Sequence, residues 1–387
     1  MRRLRIGIIG AGAASEWGIL PILIGPDAMS PPDSGNWWSR RPLGETAIRW
    51  QAPFRPEVVA LSASDEERRA SVAHEFRLAV QYSAAQDMLR ENALDVVFCE
   101  DATHENIFEL VAQMARSGAK YLWLGGVPAA STGEALELAY WAAAHGVRLW
   151  CSRTLRHAAA HRAALRLVKR GEIGDVTALA LRWSTPFGGA HEADAEWRAA
   201  TFAALDLLVA CAGVAPQSAL LAEAKSTSHL WLNFAGGSVA TAIFSSADNW
   251  NAALPRLEIC GTQGRYLLCE GGRRMGSFRP HEATQWIEPP PLAAHISTAN
   301  YGGLAEDIKH FLAECVAGKE QVDNADWIEV AHVLEIMRAA CESLPTSTPA
   351  NLQRLRFENA DDRSASNEQS KSTPSASATL TLPLALL

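Results

Sequence analysis

The chain has 387 residues, 48% of them hydrophobic and 20% charged, and a net charge of −8. That composition supplies a large buried core, and the length favours two domains over one. The acidic balance excludes a general polyanion-binding surface, so nucleic acid is not an expected partner, and no apolar run reaches the roughly 20 residues of a membrane helix.

In chain order, the stretch Arg5 to Ser15, RIGIIGAGAAS, reads as an apolar strand entering a glycine turn and then a helix. Gly10 suits a sharp turn, and Gly12, followed by Ala13, Ala14 and Ser15, lets backbone N–H groups approach a pyrophosphate. A tight strand-to-helix turn has the same pattern, so the surroundings decide between them. The start MRRLRIGIIGAG imitates a signal peptide, but its apolar run is short and passes directly into the turn, which favours a buried first strand. Gly25 to Pro56 is rich in Pro, Gly and Ser and reads as an insertion. Its Trp37, Trp38, Arg40 and Arg41 fit either an ordered surface loop or a partner patch.

Strand character returns at Glu57 to Leu61, followed by a charged helix, DEERRASVAHEF. Where an acidic residue would receive the ribose of NAD, the chain has Ser62, Ala63 and Ser64. Ser64 with Arg68 and Arg69 would suit the extra phosphate of NADP, although a charged helix surface explains the arginines equally well. A helix at Ala84 to Glu91, the strand DVVFC, a helix from Thr103 to Ser117, the strand KYLWL, a helix at Ser131 to Ala144 and a strand at Val147 to Cys151 follow. Repeated strand–helix units with short connections predict a parallel sheet covered on both faces, a Rossmann-type domain over residues 1–151.

From there a basic helix, His157 to Arg170, leads into strands at EIGDVTALALRWS, His229 to Phe234, Ser238 to Ser245, Leu257 to Cys260 and Arg265 to Cys269. These predict a mostly antiparallel α+β domain over residues 152–345, closed by helices at Tyr301 to Ala317 and Trp327 to Leu344. Residues 346–387 are rich in Ser, Thr, Asn and Asp and read as an unstructured tail. The seven cysteines are scattered without CxxC pairs, as expected of reduced thiols in a cytoplasmic protein.

RIGIIGAG, RLWCSRTLRHAAAHRAALRLVKRGEIGDV, EICGTQGRYLLCEGG and YGGLAEDIKHFLAECVAGKE resemble, in sequence and order, the Gfo/Idh/MocA oxidoreductases, which are NAD(P)-dependent dehydrogenases of sugars, inositol and related compounds. The resemblance implies a nucleotide site for NADP or NAD at Gly10, Gly12, Ala13, Ala14, Ser15, Ser64 and His104. It also implies a small-molecule ligand and a homo-oligomer formed through the C-terminal sheet. Three positions depart from it. The family's catalytic lysine falls at Val127, and the acid and histidine of its substrate-domain helix fall at Ala199 and Ala203, leaving Asp206. None of the three replacements can exchange a proton. Before His104 stand Glu100 and Asp101, an unfavourable pair beside a dinucleotide unless they point away.

Remaining candidates cluster at the domain junction. Arg156, with Arg153 or Arg182, could clamp an anion, or these arginines could be a solvated basic face. His157 and His161, four apart, would share a helical face as a substitute acid–base pair, but they lack a third ligand for a metal, and none is expected. Trp183, Trp197 and Phe187 would line a ligand pocket or belong to the core. The resulting expectation is a binding, regulatory or scaffold protein on a dehydrogenase fold. The alternative is an NAD(P)-dependent oxidoreductase of a sugar or polyol that uses a non-standard proton donor, His157, His161 or a bound water, with Arg156 as a further candidate for the site.

Overall fold

The computed structural model describes residues 2–12, 15–24, 54–100, 104–185, 195–224, 227–246, 255–269, 274–280, 285–287, 303–318, 325–344, 348–352, 355–358 and 380–383. The segment containing Trp37, Trp38, Arg40 and Arg41 lies outside them, as do Ala13, Ala14, Asp101 and Phe187.

The first unit runs β1 (Arg2–Ile9), a π turn (Ser15–Ile19), α1 (Leu20–Ile24), β2 (Phe54–Ser62), α2 (Glu66–Phe76), β3 (Gln81–Tyr82), α3 (Ala85–Glu91), β4 (Val96–Cys99), α4 (His104–Ser117), β5 (Tyr121–Leu124), α5 (Thr132–Ala144) and β6 (Arg148–Cys151). Its six strands lie in the order β3-β2-β1-β4-β5-β6, all parallel. This is the doubly wound order, in which direction reverses between β1 and β4 and a crevice opens beyond their C-terminal ends. Local chemistry fixes the elements. All four residues of β4, VVFC, are buried, as a central parallel strand requires. Asp65 caps α2 by accepting from the Arg68 N–H. Ser131 caps α5 by accepting from the Glu134 N–H, and the Glu134 carboxylate accepts in return from the Ala130 N–H.

The second unit comprises α6 (Thr154–His157), α7 (Ala159–Lys169), β7 (Val176–Thr185), α8 (Ala195–Ala212), β8 (Pro216–Ala224), β9 (Thr227–Phe234), β10 (Val239–Ser246), β11 (Arg256–Gly261), β12 (Gly264–Cys269), β13 (Arg274–Phe278), β14 (Gln285–Ile287), α9 (Leu304–Ala317), α10 (Ala325–Ser343) and β15 (Ala350–Asn351). Its sheet has nine strands in the order β14-β13-β12-β11-β7-β10-β9-β8-β15 and is antiparallel except where β10 meets β7. The chain beyond residue 345, read from composition as unstructured, therefore contributes an edge strand through Ala350–Asn351. Leu355–Glu358 (β16) pairs in parallel with Leu380–Pro383 (β17). A second correction concerns the basic helix read as continuous from His157. It breaks at Ala158, whose ψ of 135° is extended.

Two hydrophobic clusters hold the units together. In one, Leu4, Ile6, Ile8, Val96 and Phe98 on one face of the parallel sheet meet Leu20 and Ile22 of α1 and Leu304, Ile308, Phe311 and Leu312 of α9. The other begins on the opposite face, with Val97, Cys99 and Leu122. It continues through α4 and α5 into α10 and the helix-covered face of the nine-stranded sheet. Helix α9 thus returns from the second unit to roof the first. Its N-cap, Gly303, lies so close to the break after α6 that a Cβ there would be 2.5 Å from Ala158 N and closer still to Thr154 O. Gly303→Ala is expected to lower unfolding free energy by about 1–3 kcal/mol through overpacking, read as a decreased urea midpoint.

Candidate functional site

The crevice at the strand reversal is bounded by the turn after β1 and the turn after β4. Gly10 has φ 106°, a conformation that excludes most side chains, and its N–H donates to Ser62 O at 2.9 Å. The Gly12 N–H donates to Oε2 of Glu100, the first residue beyond β4, at 3.1 Å. A Cβ on Gly12 would lie 2.7 Å from Glu100 Oε1. Of the two carboxylates beside the expected nucleotide, Glu100 therefore points at the turn. Ser15 opens the π turn with a fully buried hydroxyl, and Glu16 N–H donates to Gly12 O at 3.0 Å. His104 begins α4.

On the β2 side, Ser64 is exposed and Asp65 is committed to capping α2. Arg68 Nε donates to Ala11 O at 2.9 Å, and its Nη2 pairs with Glu16. Arg69 donates to Ala63 O. Both arginines expected beside the adenosine end are thus bonded to the walls of the crevice, with Arg68 spanning from α2 to the glycine turn.

The junction arginines face carboxylates of the chain itself. Arg156 Nε lies 2.6 Å from Asp206 Oδ2, and Arg156 Nη1 lies 2.7 Å from Glu329 Oε2. Arg153, almost fully buried, places Nη1 2.6 Å from the same Glu329 oxygen and Nε 3.9 Å from Asp206 Oδ1, and also bonds the Asp326 carbonyl. Burial pushes the Asp206 carboxyl up against the opposing pull of Arg156 and Arg153. Arg153 and Arg156, read from the sequence as an anion clamp, are thus paired with carboxylates of the chain itself, Asp326 included. Arg182 cannot join it, because it is exposed on β7 between Leu181 and Trp183, which point into the core. Trp183 stacks near Phe244 with centroids 6.4 Å apart, and Trp197 is 2% exposed on α8, so both are core residues.

The break at Ala158 also separates the two histidines. His161 is buried, and its Nδ1–H donates to Leu155 O at 2.8 Å. Burial lowers its pKa to about 4. His157 instead directs Nε2 to within 3.4 Å of Oδ1 of Asp307, a fully buried acid on α9 that was not legible as a site residue. The indoles of Trp123 and Trp150 and the Ser152 hydroxyl each donate to the Asp307 carboxylate at 3.0 Å. Burial raises Asp307 to about 6 and lowers His157 to about 3. His157 is thus uncharged at neutral pH and sits against Trp150 and His310.

Val127 is half-buried and packs on the main core, and Ala199 and Ala203 occupy successive turns of α8, one and two turns ahead of Asp206. Among the described residues no cluster of three His, Cys, Asp or Glu is arranged to hold a metal, and no helix is long and apolar enough to cross a membrane.

No protein-family model and no curated protein matches the sequence. Solved structures do match its fold. Levoglucosan dehydrogenase, in complex with NADH and levoglucosan, aligns over 91% of this chain and 100% of its own with TM-score 0.70 and 14% identity. An oxidoreductase from Agrobacterium radiobacter, in complex with NAD+, L-tartaric acid and magnesium, aligns over 90% and 98% with TM-score 0.66 and 14% identity. A dehydrogenase from Chromobacterium violaceum aligns over 90% and 96% with TM-score 0.68 and 15% identity. The chain has the two-domain dehydrogenase fold. Within that dehydrogenase fold the crevice between β1 and β4 is formed, while the ionisable groups at the junction are spent on one another.

The buried pair makes stability depend on pH in opposite senses. Asp307 binds its proton more tightly folded than unfolded, so its contribution falls as pH rises from about 4 to about 6. His157 binds its proton less tightly folded, so its contribution grows as pH rises from about 3 to about 6.5. In the wild type the two slopes oppose each other, and the buried His161, lowered to about 4, adds to the His157 sense. Relative to wild type, His157→Gln should shift the slope of stability on pH between pH 4 and pH 6 in the negative direction, and Asp307→Asn should shift it in the positive direction, each by up to about 1.4 kcal/mol per pH unit in urea titrations.

Proposed function

We propose that the chain is a dinucleotide-binding protein of the Gfo/Idh/MocA type that takes NADP or NAD in the β1/β4 crevice and does not perform the family's usual proton-coupled hydride transfer. The observation that carries this reading is the apolar side chain at each of Val127, Ala199 and Ala203, combined with the internal pairing of Arg153 and Arg156 to Asp206 and Glu329. A hydride acceptor site needs a group that gives or takes the hydroxyl proton, and these positions hold none. A bound nicotinamide would supply redox capacity. The chain's own residues support binding through the Gly10 and Gly12 backbone, with the exposed Ser64 at the adenosine end leaving room for the extra phosphate of NADP. Function is then binding or regulatory, in a reducing, cytoplasmic setting consistent with seven cysteines outside any disulfide.

The sheet of the second unit supports self-association. Leu220, Trp231 and Thr241 stand in register on adjacent strands and remain partly accessible on the face opposite the core, beside Ile243 and the 41%-exposed Val239. An apolar stripe of this kind fits a second copy of the chain.

Calorimetry should show saturable binding of NADPH or NADH that Gly12→Asp abolishes; no binding by any form of the chain up to millimolar nucleotide would remove this half of the reading. Incubation with NAD+ or NADP+ and a panel of polyols and sugars should give no turnover, and a rate that disappears in Gly12→Asp would overturn the non-catalytic half. Trp231→Glu should convert a dimer into a monomer in static light scattering.

A further inference from the structure

We infer that Glu100 is a built-in competitor for the phosphate subsite of the crevice, so that a pyrophosphate-bearing nucleotide binds only when this carboxylate withdraws; the inference rests on the dinucleotide reading above. A glycine at position 12 leaves room for a phosphate to approach the backbone. Here that room is filled. Oε1, Cδ and Oε2 of Glu100 lie 2.7, 3.2 and 3.3 Å from where a Gly12 Cβ would be, and Oε2 accepts the Gly12 N–H at 3.1 Å. The turn's donor is therefore satisfied by an anion of the chain's own.

The backbone holds Glu100 in place for this. Its N–H donates to Ile9 O at 2.9 Å, which ties it across to β1, and on its other side the Gly125 N–H donates to Cys99 O at 2.9 Å. One side chain's length then spans the crevice from the end of β4 to the turn after β1. Charge at the turn adds to the effect, because Glu16 and Glu100 both stand there and the Arg68 guanidinium is bonded to Glu16 and to Ala11 O. A pyrophosphate arriving with Glu100 in place would meet like charge at contact distance and an amide with no free hydrogen. The consequence is a lowered affinity, because the intrinsic affinity of the open crevice is reduced by the fraction of molecules in which Glu100 has withdrawn.

The test is calorimetry of the full chain and of Glu100→Gln and Glu100→Ala, titrated with NADH, NADPH and ADP-ribose at one ionic strength, with circular dichroism confirming that each variant is folded. Glu100→Ala should bind at least about tenfold more tightly than wild type, a modest factor for removing a like charge at contact distance. Glu100→Gln should fall between them, since it loses the charge but keeps an oxygen for the Gly12 N–H, and as a near-isostere it preserves the test if the alanine variant does not fold. Equal affinity in all three forms, or weaker binding by the variants, would overturn the inference and leave the dinucleotide reading standing. Binding by none of the forms would overturn both.

Discussion

A single buried carboxylate fastens the last third of the chain to the first. Asp307 sits on α9, and its oxygens are claimed by indoles from β5 and β6 and by the hydroxyl just after β6, with His157 closing the remaining side. A bare charge in that position would be prohibitively costly, so the acid is tolerated only because these donors converge on it. Each donor is in turn placed by a parallel strand whose position is set by the order of the sheet. The start of α9 is pressed against the break after α6, where only Gly303 leaves room. The same contact explains why the basic stretch from 157 to 170 is not one helix.

The domain junction repeats this economy of charge. Arg153, Arg156, Asp206 and Glu329 bring α6, α8 and α10 together by satisfying each other, and a cluster closed in this way gives rigidity rather than reactivity. Glu100 on Gly12 is the equivalent arrangement at the crevice. At both places the chain directs polar groups toward its own backbone and side chains.

Much of the architecture was legible because local and global preferences agree. The apolar β4 and the glycine turn after β1 each had a residue-level cause that the structure repeats. Strand β8 was not legible, since PQSALLAEA is rich in Ala, Leu and Glu and becomes a strand only because β9 and α10 cover it. The arginines and histidines at 153–161 were recognised as a concentration of chemistry, but their partners, Asp307 and Glu329, lie more than 145 residues away. No local pattern could say that the charges were already balanced. Glu100 was visible as an awkward charge beside a nucleotide, whereas its reach to Gly12 depends on the spacing of two strands.

The return of α9 also bears on how the chain is made. Leu4, Ile6, Ile8 and Phe98 are covered partly by Leu304, Ile308 and Phe311, which are translated about 200 residues after Phe98 and about 300 after Leu4. A nascent chain that has completed all six parallel strands still lacks the part of that face's cover that α9 supplies, so the first unit is packed in full only once α9 has been made. Such long-range closure slows folding and lengthens the interval in which the open face can associate with other chains.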